Sequence, residues 1–273
     1  MGSSCTMQLL KTQYNEFFFF QFSDPRTQDW IGVSNPLIIG SIVIGYLYFC
    51  KSLGPRLMKD REPFQLKTIL LIYNAFQVAL SLYLVYLVSL SASDSWWYFF
   101  AKVTELLDTV FFVLRKKFNQ VSFLHVYHHT MMSFVIWIGV KYFPGGHVYL
   151  MGFLNSIVHV IMYSYYLLSG LGPQYEKYLW WKKHVTIIQL IQFCIILVHN
   201  ASVFFYECKY PKVLNILTCC NSLAFIYMFG KFYINSYNKG ATNKTMKAKH
   251  SNVNIRKVDK SYGVSKNGKE KSR

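Results

Sequence analysis

Three histidines cluster at the start of one apolar run, in the sequence His125-Val126-Tyr127-His128-His129. On a helix, residues at i, i+3 and i+4 share one face, so this spacing brings the three imidazoles together. Imidazole near neutral pH can ligate a transition metal, act as a general base, or act as a covalent nucleophile. The run therefore predicts a site for metal chemistry or for acid–base and nucleophilic catalysis.

Three further apolar runs also carry polar stripes. The stripes comprise Lys102, Glu105, Asp108 and Thr109 in one run, Asn155, His159, Met162, Tyr163 and Tyr166 in the next, and Thr186, Gln189 and Gln192 in the last. Spacings of three, four and seven residues place each stripe on one helical face. Polar groups inside an apolar bundle are costly unless they face its interior, so each stripe is a functional candidate.

Structural interpretations of single members stay open. A transmembrane histidine can simply bond a neighbouring helix, and the tyrosines can be packing or interface aromatics. Lys102 and Glu105 can form an i,i+3 ion pair on their own helix. The basic residues of the loops can set the topology alone or also hold an anion.

The composition indicates that these runs lie in a bilayer. Of the 273 residues, 53% are apolar and only 15% are charged, below the share in soluble domains. The chain has seven runs close to the ~20 apolar residues that cross a bilayer. They are residues 34–50, 66–90, 97–114, 121–142, 148–169, 184–206 and 213–234. We therefore predict an all-α integral membrane protein with seven transmembrane helices.

Basic residues predict the orientation of the spans. They concentrate in the loops after spans one, three and five, and 12 of the 29 Lys and Arg lie from Lys231 onward. Basic loops stay on the cytosolic side of a membrane. The prediction is a luminal N-terminal segment, 1–33, a seven-helix membrane domain, 34–235, and a basic, disordered cytosolic tail, 236–273.

This orientation sets the depth of the polar groups. Asp108, His128 and Gln189 each lie about seven residues inside a cytosolic helix end, or roughly 10 Å at 1.5 Å per residue. His159 lies a little deeper. Helices running in alternating directions thus carry their polar groups at one level, which predicts a site open to the cytosol.

Two other classes of protein share part of this pattern. Membrane di-iron oxidases carry HxxHH boxes but need about eight histidine ligands in three clusters. Eight histidines are the whole supply here and no second HxxHH occurs, so we predict no metal and no cofactor. A seven-helix receptor would open its pocket away from the cytosol. Nucleic-acid binding is not expected, because the basic residues do not interleave with aromatics on a folded surface.

The four stripes contain sequence motifs in a fixed order. They read KVTELLDTVFFVLRKK at 102–117, HVYHH at 125–129, NSIVHVIMYSYY at 155–166 and TIIQLIQF at 186–193. With these motifs the chain closely resembles the ELO family of very-long-chain fatty acid elongases. The resemblance implies condensation of a long-chain acyl-CoA with malonyl-CoA to 3-oxoacyl-CoA, CO2 and CoA. It also implies that spans two to seven form two inverted three-helix units around an acyl tunnel.

The resemblance also implies roles for particular residues. In the family's ping-pong scheme His128 forms an acyl-imidazole, His159 assists, and His129 and Asp108 orient groups or handle protons. The substrate-binding positions that match are Lys102, Arg115, Lys117, Gln120, His125, Asn155, Lys182, Thr186 and Gln189. The cations among them at the cytosolic mouth suit the phosphates of CoA.

Location and partners are implied in the same way. Residues 269–273 resemble a dilysine retrieval signal, which predicts the endoplasmic reticulum membrane. The expected partners are the 3-oxoacyl-CoA reductase, the dehydratase and the enoyl reductase of the elongation cycle. Cys208 matches one half of a luminal cystine found in many relatives, and Asn200 begins a glycosylation sequon close to the membrane.

Overall fold

The computed structural model describes residues 23–87, 95–144, 147–205 and 211–238, and the regular structure in these ranges is helical. This confirms the predicted all-α class. The helices of eight residues or more are α1 (Pro36–Tyr48), α2 (Lys67–Leu87), α3 (Ser95–Thr104), α4 (Leu107–Leu114), α5 (Phe123–Tyr142), α6 (His147–Leu171), α7 (Lys182–Ser202) and α8 (Lys212–Tyr233). The predictions for residues 1–22, Cys208 and the tail beyond 238 lie outside the described residues.

Five helical segments are long and apolar enough to cross a membrane. They are Pro36–Leu57, Lys67–Leu87, Tyr149–Leu171, Lys182–Phe205 and Lys212–Tyr237. Apolar side chains on them point outward: Ile44 and Val198 are each 69% exposed, as suits lipid-facing positions. These segments match five predicted spans and indicate a multi-pass membrane protein.

The other two predicted spans, 97–114 and 121–142, are helical but do not reach that combination of length and apolarity. α3 and α4 have only 10 and 8 residues. α5 has 20 residues, but it carries three imidazoles and a lysine. The count of seven crossings is therefore a proposal and not an observation.

The third predicted span differs from expectation because a tight turn divides it at Glu105 and Leu106. The amide of Leu106 donates to the carbonyl of Val103 at 3.2 Å, and that of Asp108 donates to Glu105 at 3.1 Å. Bonds of this i→i−3 type belong to the 3₁₀-helix, in which side chains three residues apart eclipse each other. The turn therefore stacks the side chains of Glu105 and Asp108 on one side of the chain.

The basic loops meet at one end of the bundle, which we call the basic end (residues 58–67, 115–122 and 172–183). The amide of Phe64 donates to the carbonyl of Leu114 at 3.1 Å, which joins the first two loops. α2 packs along α6, α6 packs on α7, and α7 packs on α8. The start of α2 thus lies near the end of α4, and the amine of Lys183 at the start of α7 lies 5.5 Å from the ring centroid of Tyr233 at the end of α8.

Residues 23–34 cover the opposite end of α5. The amide of Asp24 and the hydroxyl of Thr27 both donate to the carbonyl of Lys141, at 3.1 and 3.0 Å. In return the Lys141 amine donates to the carbonyl of Ser34 at 2.5 Å. Lys141 is 2% exposed, so these bonds compensate its burial. This segment therefore fastens the chain before α1 onto the end of α5.

Candidate functional site

A buried ion pair and its neighbours connect α3 with α6. The amine of Lys102 donates to Glu105 Oε1 at 2.6 Å and to Asn155 Oδ1 at 2.5 Å. His159 Nδ1 lies 3.0 Å from the same Glu105 oxygen. These four residues are at most 4% exposed. The i,i+3 pair is thus present, and it is part of a wider network that satisfies both buried charges.

A second carboxyl lies beyond the tight turn. Asp108 Oδ2 accepts a hydrogen bond of 2.7 Å from the hydroxyl of Tyr163 on α6. The same oxygen is 3.9 Å from His129 Nε2 on α5. Asp108 therefore stands where α4, α5 and α6 meet.

The three imidazoles of α5 lie side by side, as their spacing predicts. The ring centroids of His125 and His129 are 4.4 Å apart, and those of His128 and His129 are 5.4 Å apart. His125 Nε2 is 2.9 Å from Thr109 Oγ1, which is 2.7 Å from the hydroxyl of Tyr46. The imidazoles thus continue a polar path that starts on α1 and α4.

His128 stands between this polar path and an apolar wall. Its ring centroid lies 5.1 Å from that of Phe225, 6.2 Å from Phe229 and 6.5 Å from Phe193. The residue is half-buried, whereas His129 is buried. A nucleophile at His128 would therefore meet a ligand that has a polar group on one side and an apolar chain on the other.

The stripe on α7 faces the same interior. Gln189 Nε2 lies 3.6 Å from the sulfur of Met162 on α6, a weak contact. Thr186 and Gln192 are buried, at 5% and 4% exposure. α7 thus places amide and hydroxyl groups beside the helix that carries His159.

The remaining predicted residues line the basic end and not the buried cluster. Arg115 follows α4, Gln120 ends a 3₁₀ turn, and Lys182 begins α7. Lys117, Gln120 and Lys182 are exposed, and Arg115 is half-buried. The structure therefore separates the predicted residues into an exposed cationic rim and a buried polar interior.

Two stripe residues are more central than the sequence indicates. The sequence leaves Glu105 open as the ion-pair partner of Lys102, and in the structure it also contacts His159. The sequence leaves Tyr163 open as a packing or interface aromatic, and in the structure its hydroxyl binds Asp108. Its position on the stripe of Asn155 was the available signal, because a buried tyrosine hydroxyl needs a partner.

Asn200, which begins the predicted glycosylation sequon, lies near the end of α7. Its side chain is buried, and its Nδ2 donates to the carbonyl of Ile196 at 2.9 Å.

A further observation concerns the chemistry of the site interior. Within the described ranges, no three His, Cys, Asp or Glu side chains converge in a way that could hold a metal ion. The interior offers imidazoles, carboxyls, a buried amine and phenols, which are groups for proton transfer and nucleophilic attack.

These features define an all-helical, multi-pass membrane protein with a histidine-rich polar site inside its bundle and a cationic rim at one end. The family described as ELO: GNS1/SUR4 matches residues 31–97 and 89–245. The chain therefore belongs to the ELO family, as its motifs predict.

Curated relatives cover most of the chain. Very long chain fatty acid elongase 4 of Mus musculus is 39% identical over 292 residues, which span 96% of this chain and 93% of the relative. Very long chain fatty acid elongase 7 of Drosophila melanogaster is 40% identical over 262 residues, with coverage of 86% and 80%. The protein of the same name from Rattus norvegicus is 43% identical over 246 residues, with coverage of 80% and 87%.

Proposed function

We propose that this chain catalyses the first step of fatty acid elongation, in which a long-chain acyl-CoA condenses with malonyl-CoA to 3-oxoacyl-CoA, CO2 and CoA. The observation that carries the proposal is the position of His128 between buried polar groups and an aromatic wall. Relatives about 40% identical to the chain are very long chain fatty acid elongases, which supports the same substrate class.

The first half-reaction acylates His128. A neutral imidazole is nucleophilic near pH 7, and its ring nitrogen attacks the thioester carbon. The N–C bond forms, the C–S bond breaks, and the sulfur takes up the proton that the acylated ring loses. Glu105, 3.0 Å from His159 Nδ1, orients that second imidazole toward the same centre.

The second half-reaction releases the acyl group to malonyl-CoA. Loss of CO2 leaves a carbanion at C2 of the malonyl group, and this carbon attacks the acyl carbonyl. The C–N bond to His128 breaks, and the departing ring takes up one proton. The complete cycle therefore consumes one proton, and its steps require no metal and no cofactor.

The two zones of the site suit the two ends of the substrate. Guanidinium and ammonium groups of Arg115, Lys117 and Lys182 at the basic end bind the CoA phosphates. The groups proposed to contact the thioester side are Lys102, Gln120, His125, Asn155, Thr186 and Gln189. The acyl chain follows the wall that Phe225 and Phe229 begin next to His128.

The proposed architecture follows the family. It has seven spans, with spans two to seven as two inverted three-helix units around an acyl tunnel. The N-terminus is luminal and the C-terminus is cytosolic in the endoplasmic reticulum membrane, so the basic end faces the cytosol. The 3-oxoacyl-CoA reductase, dehydratase and enoyl reductase act on the product.

Intact-protein mass spectrometry tests the covalent step. Purified full-length protein incubated with acyl-CoA alone should gain the mass of one acyl chain. His128→Ala should abolish this gain, whereas His184→Ala, an exposed histidine outside the site, should preserve it. A wild-type protein that elongates acyl-CoA without ever gaining mass would refute the acyl-imidazole. Metal analysis of the same sample tests the oxidase alternative, which requires two bound iron ions per chain.

A further inference from the structure

Tyr163 is fully buried at the centre of the site, and its hydroxyl binds a carboxyl. Its exposure is 0%, and it donates to Asp108 Oδ2 at 2.7 Å. Its ring meets those of His159 and Tyr73 edge-on, with centroids 5.6 and 6.2 Å away. The surrounding rings therefore hold the phenol in place, and the phenol in turn holds Asp108.

The two carboxyls of the site have different partners. Glu105 contacts the ammonium group of Lys102 at 2.6 Å, which suits a permanent negative charge. Asp108 contacts a phenol and an imidazole, and in the described part of the chain no Lys or Arg lies within salt-bridge distance of it. Carboxyls in such different surroundings divide into a fixed charge and a group that exchanges protons.

Titratable groups face Asp108 from every neighbouring helix. They are Tyr46 on α1, Tyr73 on α2, Lys102 and Glu105 on the chain before the tight turn, His129 on α5, and Tyr163 and Tyr166 on α6. Two of these groups share one Asp108 oxygen. The oxygen that accepts the hydrogen bond from Tyr163 is also 3.9 Å from His129 Nε2. The ring of His129 lies edge-on to that of His128, with centroids 5.4 Å apart.

We propose that Tyr163 is a positioning residue, which holds Asp108 against His129 so that this carboxyl supplies the proton for the second half-reaction. This inference rests on the proposed function. In the first half-reaction the proton lost by His128 goes to the CoA sulfur, so no outside proton is needed. In the second, the C–N bond breaks only as the ring is protonated, and Asp108 delivers that proton through His129 and recovers it from solvent.

The two half-reactions are measured separately on the full-length protein. The rate of mass gain with acyl-CoA alone reports the first, and the rate of mass loss after malonyl-CoA is added to acylated protein reports the second. Tyr163→Phe should slow the second about 10- to 100-fold, the range of a misplaced general acid, and leave the first within about twofold. Trapped acyl-enzyme should then accumulate during turnover.

Two other variants make the test specific. Asp108→Asn should show the same split, and the double variant should be no slower than Asp108→Asn, because the two residues act as one unit. Tyr165→Phe is the matched control. This phenol lies two residues further along α6, is half-buried and meets the ring of Trp181 edge-on, with centroids 5.2 Å apart, so both rates should stay unchanged.

Several results would overturn the inference. Equal slowing of both half-reactions by Tyr163→Phe would indicate a merely structural residue, and wild-type rates for both would exclude any role. If Tyr163→Phe does not fold, Asp108→Asn replaces it as the test. A wild-type rate of mass loss in Asp108→Asn would then refute proton delivery from Asp108 through His129. If the wild-type protein never acylates, the proposed covalent mechanism itself fails, which is a distinct result.

Discussion

Replacing Glu105 by glutamine removes one charge from the centre of the site and keeps the side-chain volume. The change leaves the ammonium group of Lys102 buried at 2% exposure without its carboxylate. It also removes the negative charge 3.0 Å from His159. Among the described residues, the hydrogen bond from the Lys102 amine to Asn155 Oδ1 survives unchanged.

The size of the effect follows from these contacts. Removing one partner of a buried ion pair costs about 3–5 kcal/mol, because the other charge stays buried and unpaired. The bond to Asn155 stays, and since hydrogen bonds to charged groups contribute about 1.5–3 kcal/mol, we expect the lower end, about 3 kcal/mol. At about 2–4 °C per kcal/mol for a chain near this size, the unfolding midpoint should fall by ~6–12 °C.

Thermal unfolding of the full-length protein in detergent, followed by tryptophan fluorescence, measures this shift. Glu62→Gln, an exposed loop carboxyl, is the matched control and should leave the midpoint unchanged. The double variant Lys102→Met with Glu105→Leu should lose less than Glu105→Gln alone, because neither charge of the pair is left unpaired. An unchanged unfolding midpoint for Glu105→Gln would refute this account. A double variant whose midpoint falls by the sum of the falls for Lys102→Met and Glu105→Leu measured singly would also refute it.

Two further predictions concern the packing around the site and use the same unfolding assay. Gly54→Ala should cost about 1–3 kcal/mol through overpacking, because its Cβ would lie 2.6 Å from Val113 Cγ1 and 2.8 Å from a backbone oxygen. Gly45→Ala, which meets nothing within 4 Å, should show no loss, and equal midpoints for the two variants would contradict the prediction. Lys141→Met should cost about 1–3 kcal/mol, because buried carbonyls lose their donor. The substitution should also speed proteolysis of residues 23–34. An unchanged cleavage rate would argue against the attachment of this segment to the end of α5 by Lys141.

The helices could be predicted closely from the sequence, because a long apolar run between charged loops is a local signal. The run 66–90 became α2, Lys67–Leu87, and the run 184–206 became α7, Lys182–Ser202. The division of the run 97–114 could not be predicted in this way. The residues around the division have partners some fifty residues away on α6, Asn155 for Lys102 and His159 for Glu105.

Whether a feature of the site could be predicted also depends on whether it joins residues that are near or distant in the sequence. The three imidazoles share a face because helical periodicity alone sets that arrangement, and the spacing predicted it. The bond from Tyr163 to Asp108 joins residues 55 positions apart, so only the tertiary fold, which brings side chains of α4 and α6 together, creates it. Sequence spacing identifies the members of each stripe, but not which stripe faces which.

The tight turn at Glu105 and Leu106 explains how two carboxyls reach two partners on a regular helix. On α6, His159 and Tyr163 are four residues apart, a rise of about 6 Å. Residues three apart on an α-helix rise only about 4.5 Å and point about 60° away from each other. In 3₁₀ geometry three residues rise about 6 Å and superimpose, so Glu105 and Asp108 come into register with His159 and Tyr163. The break in the helix is thus what gives each carboxyl its own partner on α6, His159 for Glu105 and Tyr163 for Asp108.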